Sequence, residues 1–384
     1  MHTAPLPRLL SSRFFQLALL ALGFTFSAGA VAQLPPPVIK PDSGPWDSGA
    51  GFHFDLGKKK LQKTRQSVSG MACNLDAIRQ RICLMTFDEG AAARYAYVGN
   101  KALIVEAEPV LLRATDAELD AEGAATDGRY FYVTGSHSAK RGDCASNPGS
   151  RHVIRFRLDP ATGRALRSPA GSPSGKLVDY ADSGRLWSLM QAQPELAPHV
   201  GERKCLGSEP PADAPTLAGQ QGVNIEGLAI RDGQLYFGFR GPVSNGVAKV
   251  LAVDADALFS SDAASKPRTT LTRLALGQRR GIRDMIAVKT GFLLLAGPDD
   301  SSASQSVGWV VAWWDGKPAE DNSGVVQPRL LAALDLSEVK LRQCDKELKP
   351  EAMTVLEETP ATYRLLVLSD GMCDGGPLSF TVAR

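Results

Sequence analysis

One short phrase recurs along this chain: an acidic residue, a small residue and an apolar run, followed by a second strand-like run. It reads Glu122-Gly123-Ala124-Ala125, Glu226-Gly227-Leu228-Ala229, Asp284-Met285-Ile286-Ala287 and Glu351-Ala352-Met353-Thr354, with a weaker first copy at Ser69-Gly70-Met71-Ala72. The runs that follow are Ile82 to Phe87, Tyr130 to Thr134, Leu235 to Phe239, Phe292 to Ala296 and Leu365 to Leu368. Repetition of one supersecondary unit, each copy too small to bury its own apolar face, predicts an all-β closed array, a β-propeller.

Five phrases predict five blades. The interval between the copies at Glu122 and Glu226 is about double the others, so six blades is the alternative. An insertion is favoured over a sixth blade there, because Leu186, Leu189 and Met190 fall on one face of a short helix that Pro194 ends. Arg151 to Leu158 with the turn Asp159-Pro160-Ala161-Thr162-Gly163 reads as an outer hairpin of the second blade. A second short helix is expected from Asp254 to Phe259.

The N-terminus carries Arg8 and Arg13, an apolar stretch from Phe14 to Phe26 and small residues ending at Ala32. That order is a secretory signal peptide over residues 1–32. Its apolar core is shorter than the roughly 20 residues a membrane span needs. The mature protein is therefore expected to be periplasmic or secreted and not membrane-integrated. Residues 33–50, rich in Pro, Gly and Ser, read as a lead-in spacer, and 51–384 as a single propeller domain. Phe52, Phe54 and Leu56 alternate with polar neighbours and predict an N-terminal strand that closes the ring beside Leu378 to Val382.

The whole chain carries 43 Lys and Arg against 41 Asp and Glu, a formal net charge of +2. With no basic cluster longer than Lys58-Lys59-Lys60, nucleic acid is excluded as a partner. Six cysteines suit an oxidising compartment. Cys73 and Cys83 flank the turn between the first two strands of blade one, and Cys344 and Cys373 fall at one edge of the last antiparallel pair. Cys144 and Cys205 then remain, so the expected disulfides are 73 with 83, 144 with 205 and 344 with 373.

If each acidic position opens an innermost strand, Glu122, Glu226, Asp284 and Glu351 converge at one mouth of the central channel. The ends of the next strands bring Asp88, Glu89, His137, Arg240, Asp299 and Asp370 to the same rim. Three readings follow: a hard cation such as Ca²⁺ held by the four carboxylates, a rim for a small ligand or protein partner, and carboxylates that brace neighbouring blades. In the first, His137 and Arg240 are the candidate catalytic groups, His137 as proton shuttle. In the second, Asp88, Glu89, Asp299 and Asp370 contact the ligand. No nucleophile elbow, phosphate loop, zincin or dinucleotide motif is present.

The strings Asn224-Ile225-Glu226-Gly227-Leu228-Ala229, Phe239-Arg240-Gly241-Pro242, Gly281-Ile282-Arg283-Asp284, Ala296-Gly297-Pro298 and Phe87-Asp88-Glu89-Gly90 resemble an exported bacterial family catalogued as domain of unknown function 3616. The resemblance implies a propeller-like fold and brings no activity with it. The Glu-Gly starts are also similar to those of esterase-like phytase propellers and, more remotely, calcium-dependent lactonase propellers. Those likenesses imply metal-assisted hydrolysis of a phosphate ester or lactone, with calcium the candidate cofactor. Ligand or partner binding at an acidic mouth is the leading expectation, and a Ca²⁺-dependent hydrolase the alternative.

Overall fold

The structure is a computed structural model and describes residues 1–2, 35–49, 63–113, 118–172, 174–207, 221–262, 265–300 and 307–384. Five antiparallel sheets follow one another along the chain, each starting at its innermost strand. Those inner strands are Val68–Leu75, Ala121–Thr126, Asn224–Arg231, Arg280–Val288 and Lys349–Glu358. Each packs against the next, and the fifth returns to the first, which closes a ring of five blades.

A propeller blade is covered on both faces by its neighbours, so its middle strands must be apolar on both sides. Gly291–Pro298 is buried along its whole length for this reason. Its alternate residues serve different cores. Phe292, Leu294 and Ala296 pack with the third blade, whereas Leu293 and Leu295 pack with the fifth. Five such cores occur, one at each blade-to-blade interface.

The long interval between the second and third phrases is an insertion, as expected. It holds a small hairpin, Arg167–Ser168 with Lys176–Leu177, and a helix, Arg185–Ala192, that buries Leu186 and Met190 against the second and third blades. The strand Val153–Asp159 pairs with Arg164–Ala165 across the Asp159 to Gly163 turn. The second short helix spans Ala255–Leu258, with the Asp254 carboxylate accepting the Ala257 amide at 2.8 Å.

All three expected disulfides form: Cys73–Cys83, Cys144–Cys205 and Cys344–Cys373. Cys73 and Cys83 face each other directly across the first blade's inner strand pair.

The segment expected to be a spacer is packed instead. Val38–Ile39 adds a parallel strand to the outer edge of the fourth blade beside Arg329–Leu334. The chain then runs along the fifth blade, where Asp42 and Trp46 amides donate to Ser379 and Pro377 carbonyls, each at 2.8 Å. Trp46 ends buried in the core between the fifth and first blades. Proline and glycine content suits this path because an extended strap needs no helix or hairpin. Among the described residues the fifth blade has three strands, and the strap runs along its outer edge. The predicted strand at Phe52 to Leu56 and the signal peptide at residues 1–32 lie outside the described residues, save Met1 and His2. Among the described residues, no helix is long and apolar enough to cross a membrane.

Candidate functional site

Every inner strand carries a β-bulge at the equivalent residue, and the third and fifth strand pairs carry a second register shift. The equivalent shifts fall at Ser69, Glu122, Glu226, Arg283 and Glu351. A bulge leaves one residue unpaired and re-aims its side chain. Five such residues on five adjacent inner strands form a ring at the channel mouth. Further along the same strands lies a small cavity lined by Met71, Ala124, Leu228, Met285 and Thr354, among others.

This register separates Asp284 from the other three expected carboxylates. Asp284 occupies the position of Gly70, Gly123, Gly227 and Ala352, the point where an inner strand touches the next blade. A Cβ on Gly123 would lie 2.8 Å from Leu228 Cβ, and one on Gly227 would lie 2.9 Å from Ile282 Cγ2. In the fourth blade the carboxyl of Asp284 fills that seam. It accepts the Met285 amide at 2.7 Å and, across the seam, the Met353 amide at 2.6 Å. Burial pushes its pKa well above the ordinary value, against the pull of those two amides. Asp284→Asn, which puts an NH₂ donor against one amide, is expected to lower stability by about 1–3 kcal/mol in urea unfolding. Because the side chain faces a seam, the chemistry of the mouth should be unchanged.

Arg283 therefore stands in the ring, and it organises one side of it. Its guanidinium, 2% exposed, lies between Glu226, with Nε 2.8 Å from Oε2, and Glu351, to which Nη2 donates. Arg240 donates to the other Glu226 oxygen at 2.9 Å and to the Asp299 carbonyl at 3.1 Å. The result is a buried chain, Arg240–Glu226–Arg283–Glu351, that links the third, fourth and fifth blades. Burial lowers the Arg283 pKa, but Glu226, Glu351, Glu122 and Asp370 more than reverse this and leave it raised. One cation between two carboxylates does not satisfy both. Burial, with Asp370 and Glu226, outweighs Arg283 and pushes Glu351 up to about 8.

The other side of the ring is built differently. Glu122 is 5% exposed and makes no hydrogen bond or ion pair among the described residues. Burial, then Glu226, Asp120, Glu351 and Asp88, push its pKa well above the ordinary range. Asp88, just past the end of strand Arg81–Phe87, is pushed up to about 8 by burial and by Asp370, Asp120 and Glu89, with Arg141 opposing. Its Oδ1 is buried without a partner. Asp120 accepts from the Ser136 hydroxyl, and burial raises its pKa too.

Arg141, absent from the sequence-based expectations, reaches this side. It sits on a turn of the second blade closed by the Lys140 amide on Ala145 O at 2.9 Å and the Cys144 amide on Lys140 O at 3.0 Å. The Cys144–Cys205 disulfide fixes that turn. Its side chain is exposed and forms no ion pair. Although its surface is exposed, crowding by the protein around it lowers its pKa, and Glu122, Glu351, Asp88 and Glu226 together leave it raised.

The remaining expected residues divide. Glu89 pairs with Lys63. Asp370 lies 3.8 Å from Lys349 and has a pKa raised by burial. Asp299 is buried with Oδ1 unpartnered, 4.0 Å from Arg279, and its pKa is raised by burial and by Asp300. His137 is fully buried in the second blade, with Nδ1 3.0 Å from Gly135 O, and burial lowers its pKa to about 4. The charges that act on it are those of His152 and Arg151, not the mouth carboxylates, so the structure does not bring it into the ring.

As a cation site, the expected set Glu122, Glu226, Asp284 and Glu351 does not fit a bare ion. Asp284 faces a seam, and Arg283 already sits between Glu226 and Glu351. Among the described residues, the one group of three ligand atoms within 4.8 Å is Cys344, Asp345 and Cys373, whose sulfurs form a disulfide.

A family model described as "Protein of unknown function (DUF3616)" matches residues 87–158 and 174–375. No curated protein matches the chain. Among solved structures it is similar to a GH43 β-1,3-galactosidase with galactodeoxynojirimycin, at 7% identity and a TM-score of 0.43 over 90% of this chain and 94% of that one. An exo-1,5-α-L-arabinanase from a bovine ruminal metagenomic library matches at 10% identity and a TM-score of 0.40, covering 83% and 92%. Pseudomonas fluorescens PhoX in complex with vanadate matches at 13% identity and a TM-score of 0.30, covering 64% and 50%. At these values no activity carries over.

Proposed function

The chain belongs to the DUF3616 family, whose description assigns no activity, and from the geometry of its channel mouth we propose that it is an exported recognition protein that binds a small polar ligand there. Export is supported by the N-terminal pattern and by three disulfides. Binding rests on one observation: Glu122, 5% exposed and on the ring of bulged inner-strand residues, has no hydrogen-bond or ion-pair partner among the described residues. A buried carboxyl without a partner loses about 1–3 kcal/mol that a bound donor or acceptor restores. Blade bracing accounts for Glu226, Glu351 and Asp284, each of which has its partners, and leaves Glu122 unexplained.

The test is a thermal-shift screen of small polar compounds against the wild type and Glu122→Gln. Ligands that raise the wild-type melting temperature and lose at least half of that rise in the variant are expected. Shifts that are identical in both proteins would remove the mouth as the site.

A second reading, hydrolysis, draws on the same side chain. A carboxyl with a raised pKa is the donor that a departing alkoxide needs, and burial with the neighbouring carboxylates raises Glu122 well above its ordinary value. The chemistry needs no ion: water attacks the electrophilic carbon and passes its proton to an ionised carboxylate of the ring, the bond to the leaving oxygen breaks, and Glu122 O–H protonates that oxygen while Arg240 and Arg283 keep Glu226 in place. Turnover of an ester, lactone or glycoside that vanishes in Glu122→Gln while binding persists would select it.

A further inference from the structure

The two halves of the ring differ in how their charge is compensated, and the difference assigns a ligand chemistry. On the side of blades three to five, the chain Arg240–Glu226–Arg283–Glu351 is closed by direct contacts. On the side of blades one and two, Glu122 has no contact, Asp88 has a buried oxygen without a partner, and Asp120 has only a serine hydroxyl. What acts there instead is Arg141, whose guanidinium feels these carboxylates from a disulfide-fixed turn. It touches none of the four carboxylates whose field it feels.

We infer that this half of the mouth takes an organic cation, a guanidinium or primary ammonium group of a small molecule, in the place where Arg141 now acts. The inference rests on the proposed ligand-binding role of the mouth and names the class of ligand. The sign of the site follows from its residues. Glu122, Glu226, Glu351, Asp88, Asp120 and Asp370 face Arg141, Arg240 and Arg283, so carboxyls outnumber cations even with Arg141 in place. Arg240 and Arg283 are already paired with Glu226 and Glu351, so an anion meets only Arg141, whereas an entering cation meets the unpartnered Glu122 and Asp88, which ionise as it binds.

Spacing decides between a metal ion and an organic cation. A hard ion collects six to eight oxygens at one point. Here no three of these carboxylate oxygens come within 4.8 Å of one another among the described residues. A guanidinium carries five N–H donors on a planar fork, and an ammonium carries three on a flexible stem, so either reaches acceptors that lie apart. Arg141 satisfies the same requirement at a distance, as a tethered substitute whose donors remain unused. A ligand that brings its own cation into contact displaces it toward solvent, where its exposed side chain already extends.

The experiment is calorimetric titration of the mature chain with agmatine and spermidine, with calcium chloride, inorganic phosphate and xylitol as comparison probes. It is run on the wild type, Arg141→Ala, Glu122→Gln and Asp88→Asn, each checked for folding by its thermal unfolding curve. Agmatine or spermidine is expected to bind, at least tenfold more tightly in Arg141→Ala and at least tenfold more weakly in Glu122→Gln. Asp88→Asn supplies the same readout should Glu122→Gln fold poorly. Organic cations that do not bind, or whose affinity is unchanged in Arg141→Ala, overturn the inference. If xylitol, phosphate or calcium then binds in a Glu122-dependent manner, the mouth remains a ligand site of another class. If no probe of any charge gives a signal that depends on Glu122, the recognition reading falls with it.

Discussion

Exchanging Arg283 for methionine is expected to destabilise the propeller by about 3–5 kcal/mol at pH 8, the cost of removing one partner from a buried ion pair. The size follows from what the guanidinium leaves behind. Glu226 keeps Arg240 at 2.9 Å, but Glu351 loses its ion-pair partner and the Pro298 carbonyl loses a donor. Methionine matches the stem of arginine and fills its space, so packing loss contributes little. At lower pH the loss should shrink, because an isolated Glu351 takes up a proton instead of remaining a buried charge. Adding Glu351→Gln to Arg283→Met is expected to recover most of the stability, since buried ion groups replaced together are often neutral or better. The measurement is a double-mutant cycle by urea unfolding at pH 6 and pH 8. An Arg283→Met protein as stable as the wild type at both values would show that the chain of charges does not hold the third, fourth and fifth blades together.

The blades were legible because each strand must be apolar on both faces, a pattern as plain in Phe292 to Ala296 as in Leu365 to Leu368. The disulfides were legible because antiparallel pairing places Cys73 opposite Cys83 and leaves few choices for the rest. The ring was legible only in part, and the reason is one residue of register. Aligning the repeats on their acids puts Asp284 with Glu122 and Glu226. Aligning them on their apolar flanks, Ile225-Glu226-Gly227-Leu228 with Ile282-Arg283-Asp284-Met285, puts Arg283 there instead, as the bulges do. The flanks are the better guide because they pack in the cores between blades, which tolerate no slip. Arg141 carried no such signal, since a turn residue has neither a period nor a fixed face. His137 misled for a related reason: a histidine at a strand end is placed by backbone geometry, and here the φ of 56° turns it into the second blade.

Raising the pH from about 7 to about 8 is expected to weaken the fold by about 1.4 kcal/mol for each proton that the native mouth retains and the unfolded chain does not. The direction follows from the native pKa values. Glu351 and Asp88 are pushed up to about 8, so in this window their unfolded carboxyls have ionised while the native ones still hold protons, and Glu122 is raised in the same direction. A raised acid pKa contributes its full stability below the unfolded pKa and loses it as pH climbs through the native one. His137, with a native pKa of about 4, is neutral in both states above about pH 7 and does not oppose the trend. The groups facing Glu122 are Glu226, Asp120, Glu351 and Asp88, with Arg141 and Arg283 of opposite sign, and they titrate as a set. Glu122→Gln keeps the shape of the protonated acid but has no proton to lose. It should flatten the slope. Arg141→Ala should do the opposite, because loss of a nearby cation raises the remaining pKa values and extends proton retention to higher pH. Urea unfolding at half-unit pH steps measures all three proteins, and a wild-type stability that is flat or rising across the window would sink the account. The same protons connect stability to binding. An organic cation entering the mouth compensates the charges that keep these acids protonated, so its binding must expel protons, and its affinity must rise with pH up to about 8. Titration in two buffers of different ionisation enthalpy counts those protons directly.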